Sequence, residues 1–109
     1  MELNAYRIMW VFVFFDLPTE TKKNRKDAQH FRKNLLKDGF TMMQFSVYMR
    51  HCASSESVDV HEIRIKKLLP PLGKVSLLRI TDKQFGNIMN FWGKLPQPPM
   101  PQPTQLELF

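Results

Sequence analysis

A chain of 109 residues with a formal net charge of +6 has room for one hydrophobic core and not two, and its charge suits a polyanion, either nucleic acid or an anionic membrane. A single cysteine, Cys52, excludes an intrachain disulfide framework and suits a reducing cytoplasm. The apolar run IMWVFVFF at residues 8–15 follows Glu2 and precedes no small-residue cleavage site; it is also shorter than the about 20 residues of a membrane span. A soluble cytoplasmic protein is expected.

In chain order, the β-branched and aromatic residues from Tyr6 to Phe15 predict a central strand covered on at least one face, with Asp16 at its C-terminal end. Pro18 and Thr19 punctuate, Thr19 as an N-cap. Ala28, Phe31 and Leu35 then recur at helical spacing until Gly39 offers a C-terminal cap, predicting a helix over residues 20–38. MQFSVYMR, residues 43–50, alternates strictly. Met43, Phe45, Val47 and Met49 are expected toward the core, and Gln44, Ser46, Tyr48 and Arg50 toward water or a partner.

The polar loop HCASSES leads into a second helix with Val58, Glu62, Ile65 and Leu69 on one face and Leu68 beside them, ended by Pro70 and Pro71. KVSLLRI, residues 74–80, predicts another strand, and TDKQFGNIMNFWG, residues 81–93, a short helix with Phe85, Ile88, Met89 and Trp92 inward. PQPPMPQPTQ is a stiff, extended linker, so residues 1–93 form the domain and 94–109 a tether with an apolar end. The order of elements predicts an α+β fold. A ferredoxin-like βαββαβ sandwich, an antiparallel sheet with helices on one face, is the economical choice, above all if residues 40–52 bend into two strands.

Two features carry candidate chemistry. Asp16 ends an apolar strand, where a carboxylate serves either as a turn residue capping nearby N–H groups or as a ligand for a hard cation such as Mg²⁺. One carboxylate per chain is thin for a metal unless a two-fold axis supplies a second. Lys22, Lys23, Arg25, Lys26, Arg32, Lys33 and Lys37 are opposed in their span only by Asp27. They make a basic helix, either a solvated face or a surface for a phosphate backbone, bound without base readout. His30, His51 and His61 have no metal-ligand spacing with Cys52, and no chemistry is assigned to them.

VFVFFDLPT, FRKNLLKDGFTMMQFSVYMR and LLRITDKQF together resemble the CRISPR-associated Cas-two family, in particular members that accompany type II systems. The likeness covers about residues 6–93. Its most specific part joins the strand ending in Asp16 to Gly39, Gln44, Ser46, Val47 and Tyr48. The resemblance implies a ferredoxin-like homodimer with the two Asp16 side chains facing each other across the interface. It implies a shared Mg²⁺ site and phosphodiester cleavage of RNA or DNA, with a dependence on pH and metal because opposed carboxylates repel. It also implies an architectural role, in which the dimer bridges dimers of the Cas-one integrase and captures duplex DNA for spacer acquisition. The basic helix is the candidate DNA contact by charge and position.

The tail is a separate feature. Gln105, Leu106, Leu108 and Phe109 resemble the short peptide by which many bacterial proteins bind the DNA polymerase sliding clamp. The favoured alternative is a strand added to the other protomer's sheet or to the integrase. A ferredoxin-like RNA-binding module is the rival function, but the aromatic RNA-binding strand signature is missing from the sequence. Membrane binding is disfavoured because the basic helix's few apolar residues fit a core stripe.

Overall fold

The computed structural model describes residues 7–94. Tyr6, most of the 94–109 tether and its terminal peptide lie outside the described residues. The elements are β1 (Met9–Asp16), α1 (Lys22–Lys37), β2 (Thr41–Gln44), β3 (Val47–Cys52), α2 (Ser55–Leu68), β4 (Lys74–Thr81) and α3 (Asp82–Gly86). The sheet order is β2-β3-β1-β4 with every pairing antiparallel. This is the ferredoxin-like α+β fold, and β1 is a central strand.

That position explains the composition of β1. Its odd residues Met9, Val11, Val13 and Phe15 pack with Phe31 and Leu35 of α1 and Val58 and Ile65 of α2. Its even residues Trp10 and Phe12 pack on the other face with Met49, Ile80, Phe85 and Ile88. Both faces are therefore buried along most of its length, which a run without polar interruption requires.

α1 starts at Lys22 and not at residue 20, because Thr21, not Thr19, is its N-cap: the Thr21 hydroxyl accepts from the Asn24 N–H at 3.0 Å. The Thr19 and Glu20 carbonyls instead accept from Arg25 Nη1, at 2.9 and 3.3 Å. At the other end Gly39 stands at φ +86°, its N–H bonds Leu36 O, and the Phe40 N–H bonds Leu35 O. This is a Schellman closure, as the glycine predicts.

The alternating segment is two strands. Phe45 and Ser46 form a two-residue turn, with Ser46 at φ 68°. Pairing also slips between Met42 and Gln44. Of the expected faces, Met43, Val47 and Met49 do pack in a core cluster, on the face away from α1 and α2; Tyr48, expected outward, is instead buried in the helix-covered core, and Phe45, expected inward, is 79% exposed at the turn. In α2 the buried face is Val58, His61 and Ile65, not Glu62, which pairs with Arg79 at 2.6 Å. His61 is tolerated inside because its Nδ1 meets Asp38 Oδ2 at 2.7 Å. Leu69 has left the helix, with ψ 136°, the extended conformation that a following Pro70 favours.

α3 is one turn closed by a capping box between Thr81 and Gln84. It stops at Gly86 and does not reach residue 93, since Gly and Asn are poor helix formers. Phe85 stacks on Trp10 at 3.7 Å, while Met89 and Trp92 are 76% and 57% exposed and not inward as the longer helix predicts. Among the described residues no helix is long and apolar enough to cross a membrane.

Candidate functional site

The site is built where β1 runs out of cover. Alternation along the strand puts Asp16 on the same face as Trp10, Phe12 and Phe14, but α3 shields only the Trp10 end. Phe14, Leu78 and Asp16 are exposed. Antiparallel pairing sets Lys74 opposite Asp16 and Ser76 opposite Phe14, and the Phe15 N–H bonds Ser46 O at 3.1 Å. An open groove of about 370 Å³ results, lined by Phe14, Asp16, Ser46, Val47, Lys74 and Ser76.

The Asp16 carboxylate makes no hydrogen bond or ion pair among the described residues, so it is not spent as a turn cap there. A strand-end carboxylate exposed in a groove is a hard oxygen donor, the kind Mg²⁺ takes one or two of while keeping its waters. Among the described residues no group of three or more His, Cys, Asp or Glu side chains converges as a metal cage. Among the described residues the groove thus offers one carboxylate as an oxygen donor for a cation.

The predicted basic residues divide by what they touch. Lys22, Lys26 and Lys33, with Lys37, are exposed and lie at helical spacing opposite the buried stripe of Ala28, Phe31 and Leu35. Arg25 is held by the loop carbonyls before α1. Arg32 places its guanidinium 5.6 Å from the Phe15 ring centroid and 5.0 Å from that of Phe45. Lys23 pairs with Asp27 at 3.4 Å, an exposed contact of little energetic consequence.

Two residues of this region escape a sequence reading. Lys74 is set opposite Asp16 by strand pairing, which no local pattern announces. Gly73, at φ +100°, lies where a β-carbon would stand 2.8 Å from the Asp16 carbonyl oxygen. A Gly just before a predicted strand is the only local signal for it. Elsewhere, Cys52 is buried and its thiol is pushed up chiefly by that burial, while the neighbouring His51 ring packs edge-on against Trp10. That pair is structural.

The family model described as CRISPR associated protein Cas2 matches residues 9–88. The chain belongs to the Cas2 family. It is 56% identical over 107 residues to the CRISPR-associated endoribonuclease Cas2 of Flavobacterium psychrophilum, covering 98% of this chain and 93% of that protein. The Cas2 endoribonuclease of Parvibaculum lavamentivorans is 55% identical over 101 residues, covering 93% and 100%. That of Paracidovorax avenae is 46% identical over 107 residues, covering 98% and 99%. The matched stretch contains β1 with Asp16, the basic helix and the Phe45–Ser46 turn.

Proposed function

We propose that this chain is a metal-dependent endoribonuclease of the Cas2 family, working as a homodimer in which two copies of Asp16 share one divalent cation. The observation that carries the reading is Asp16 itself: an exposed, unengaged carboxylate at the rim of a sheet face left partly bare at Phe14 and Leu78. A second copy of the same face, laid over the first, buries these residues and brings two carboxylates toward one axis. Relatives similar to this chain over nearly its whole length are named endoribonucleases, which supports RNA as substrate; DNA is the other substrate of the proposal.

The two Asp16 carboxylates would hold the divalent cation, which would supply an activated water and charge stabilisation at the scissile phosphate. The chain's own part is to hold that ion through Asp16 and to hold the phosphate backbone through its cationic residues. The outward row of Lys22, Lys26 and Lys33 also favours an architectural role, with duplex DNA bound without base readout and the Cas-one integrase bridged during spacer acquisition. Docking of the integrase or the sliding clamp by Gln105, Leu106, Leu108 and Phe109 is part of the same proposal.

The two roles separate in one experiment. Labelled single-stranded RNA and duplex DNA are incubated with the wild type and Asp16→Asn, with Mg²⁺ or EDTA. Metal-dependent cutting that disappears in Asp16→Asn supports the nuclease. Cutting that is equal in both proteins sinks it. Duplex binding that persists in Asp16→Asn supports the architectural role, whichever way the cleavage result falls.

A further inference from the structure

We infer that Phe45, backed by Arg32, is a stacking platform that seats one unpaired nucleobase at the Asp16 end of the sheet; this rests on the proposed nucleic-acid function of the Asp16 site. Phe45 is the most exposed large apolar side chain among the described residues, at 79%. Single exposed apolar residues are ordinary on a protein surface, but this one is held in place. It occupies the two-residue turn that joins β2 to β3, with Ser46 fixed at φ 68° and the Ser46 carbonyl bonded to the Phe15 N–H. The turn is thus tied to the strand residue immediately before Asp16.

Arg32 supplies the second half of the arrangement. Its guanidinium lies 5.0 Å from the Phe45 centroid and 5.6 Å from the Phe15 centroid, both within cation–π range. The buried Phe15 ring therefore anchors the guanidinium, and the guanidinium steadies an otherwise solvent-facing phenyl ring. The result is an aromatic surface with a positive charge over one face, one residue before Ser46, which lines the Asp16 groove. Lys33, the next residue along α1, is exposed and belongs to the outward lysine row of that helix.

This chemistry selects an unpaired base. Bases inside a duplex are already stacked on their neighbours, so their faces are not available to Phe45. A single strand presents both a π-face for the ring and a phosphate for the cations, and aromatic stacking of this kind is tolerant of base identity. The arrangement therefore gives a preference for single strands at the Asp16 end of the sheet, while the lysine row of α1 serves phosphates of either form.

The test uses the full chain in EDTA, so that binding is read without cleavage. Anisotropy of a short labelled single-stranded RNA and of a blunt duplex of the same length is measured for the wild type, Phe45→Ala, Phe45→Leu and Phe45→Trp. Loss of one stacked base weakens single-strand binding by about five- to a hundred-fold. That loss is expected in the Ala and Leu variants, with duplex affinity unchanged and Trp restoring the wild-type value. Phe45→Leu binding single strands as tightly as the wild type overturns the inference, as does Phe45→Ala weakening both ligands equally. Sedimentation showing that Phe45→Ala breaks the protein into smaller species assigns the ring to a contact between copies and also overturns it. A wild type that binds neither ligand brings down the nucleic-acid function itself; normal wild-type binding with an indifferent Phe45 brings down the platform alone.

Discussion

A β-carbon on Gly73 would lie 2.8 Å from the Asp16 carbonyl oxygen and 2.7 Å from Leu17 Cδ2. The backbone before β4 can approach the end of β1 this closely only because residue 73 has no side chain, and its φ of +100° independently favours glycine. Gly73→Ala must displace the Asp16–Leu17 peptide or open the strand end. A loss of about 1–3 kcal/mol is expected in urea denaturation, together with reduced Asp16-dependent cleavage. A variant as stable and as active as the wild type would show that Asp16 does not depend on this approach.

The α1 cations are expected to behave in two groups. Lys22, Lys26 and Lys33 are exposed, so replacing all three with Ala should reduce the salt dependence of duplex binding. The slope of log K against log salt falls by about 0.9 for each phosphate contact removed. Arg25 is bonded to the Thr19 and Glu20 carbonyls; Arg25→Ala should leave that slope nearly intact while lowering the melting temperature. Equal slopes in the triple variant and the wild type would remove α1 from the DNA surface.

What the sequence conveys well is set by local physics. The uninterrupted apolar run of β1 reports burial on both faces, and Gly39 reports the end of α1, because each follows from the residue's own environment. The turn at Phe45–Ser46 carries none of the usual Gly, Asn or Pro signals, so MQFSVYMR reads as one strand and the places of Phe45 and Tyr48 are misassigned. Thr19 and Thr21 are equivalent as sequence; the arginine four residues after Thr21 decides between them. Glu62, expected on the buried face of α2, gives that place to His61 because Asp38 and Arg79, distant in the chain, supply their partners. Asp16 is visible as an anomaly in an apolar strand, but Lys74 and Gly73 reach it only through pairing and loop return.

Asp38 ties three elements together at the C-terminal end of α1. Its carboxylate meets His61 Nδ1 at 2.7 Å and accepts from Arg64 Nη1 at 2.8 Å, and its carbonyl accepts from Arg50 Nε at 2.8 Å. Arg64 is exposed, so its ion pair contributes little; the buried His61 contact matters more. Asp38→Ala leaves that ring without its partner and is expected to cost about 1–3 kcal/mol. Asp38→Asn, which keeps an acceptor, should cost less. Chemical denaturation of the two variants gives the comparison, and equal losses would shift the weight from the His61 contact to the charge.

Cys52 gives a stability signature at alkaline pH. Burial pushes its thiol up, while a hydrogen bond with Ser57 and the charge of Arg50 act in the opposite direction. The folded chain therefore holds this proton more tightly than the unfolded chain, whose thiol titrates at about 8.5. The stabilisation is fully present below that value and is lost as pH rises through the higher folded value. Denaturation midpoints of the wild type should fall over this range more steeply than those of Cys52→Ala. Alkylation by iodoacetamide at mildly alkaline pH should be slow and should accelerate with denaturant, because the thiolate forms when the chain opens. Rapid labelling of the fully folded protein, with no acceleration by denaturant, would contradict this account of the Cys52 environment.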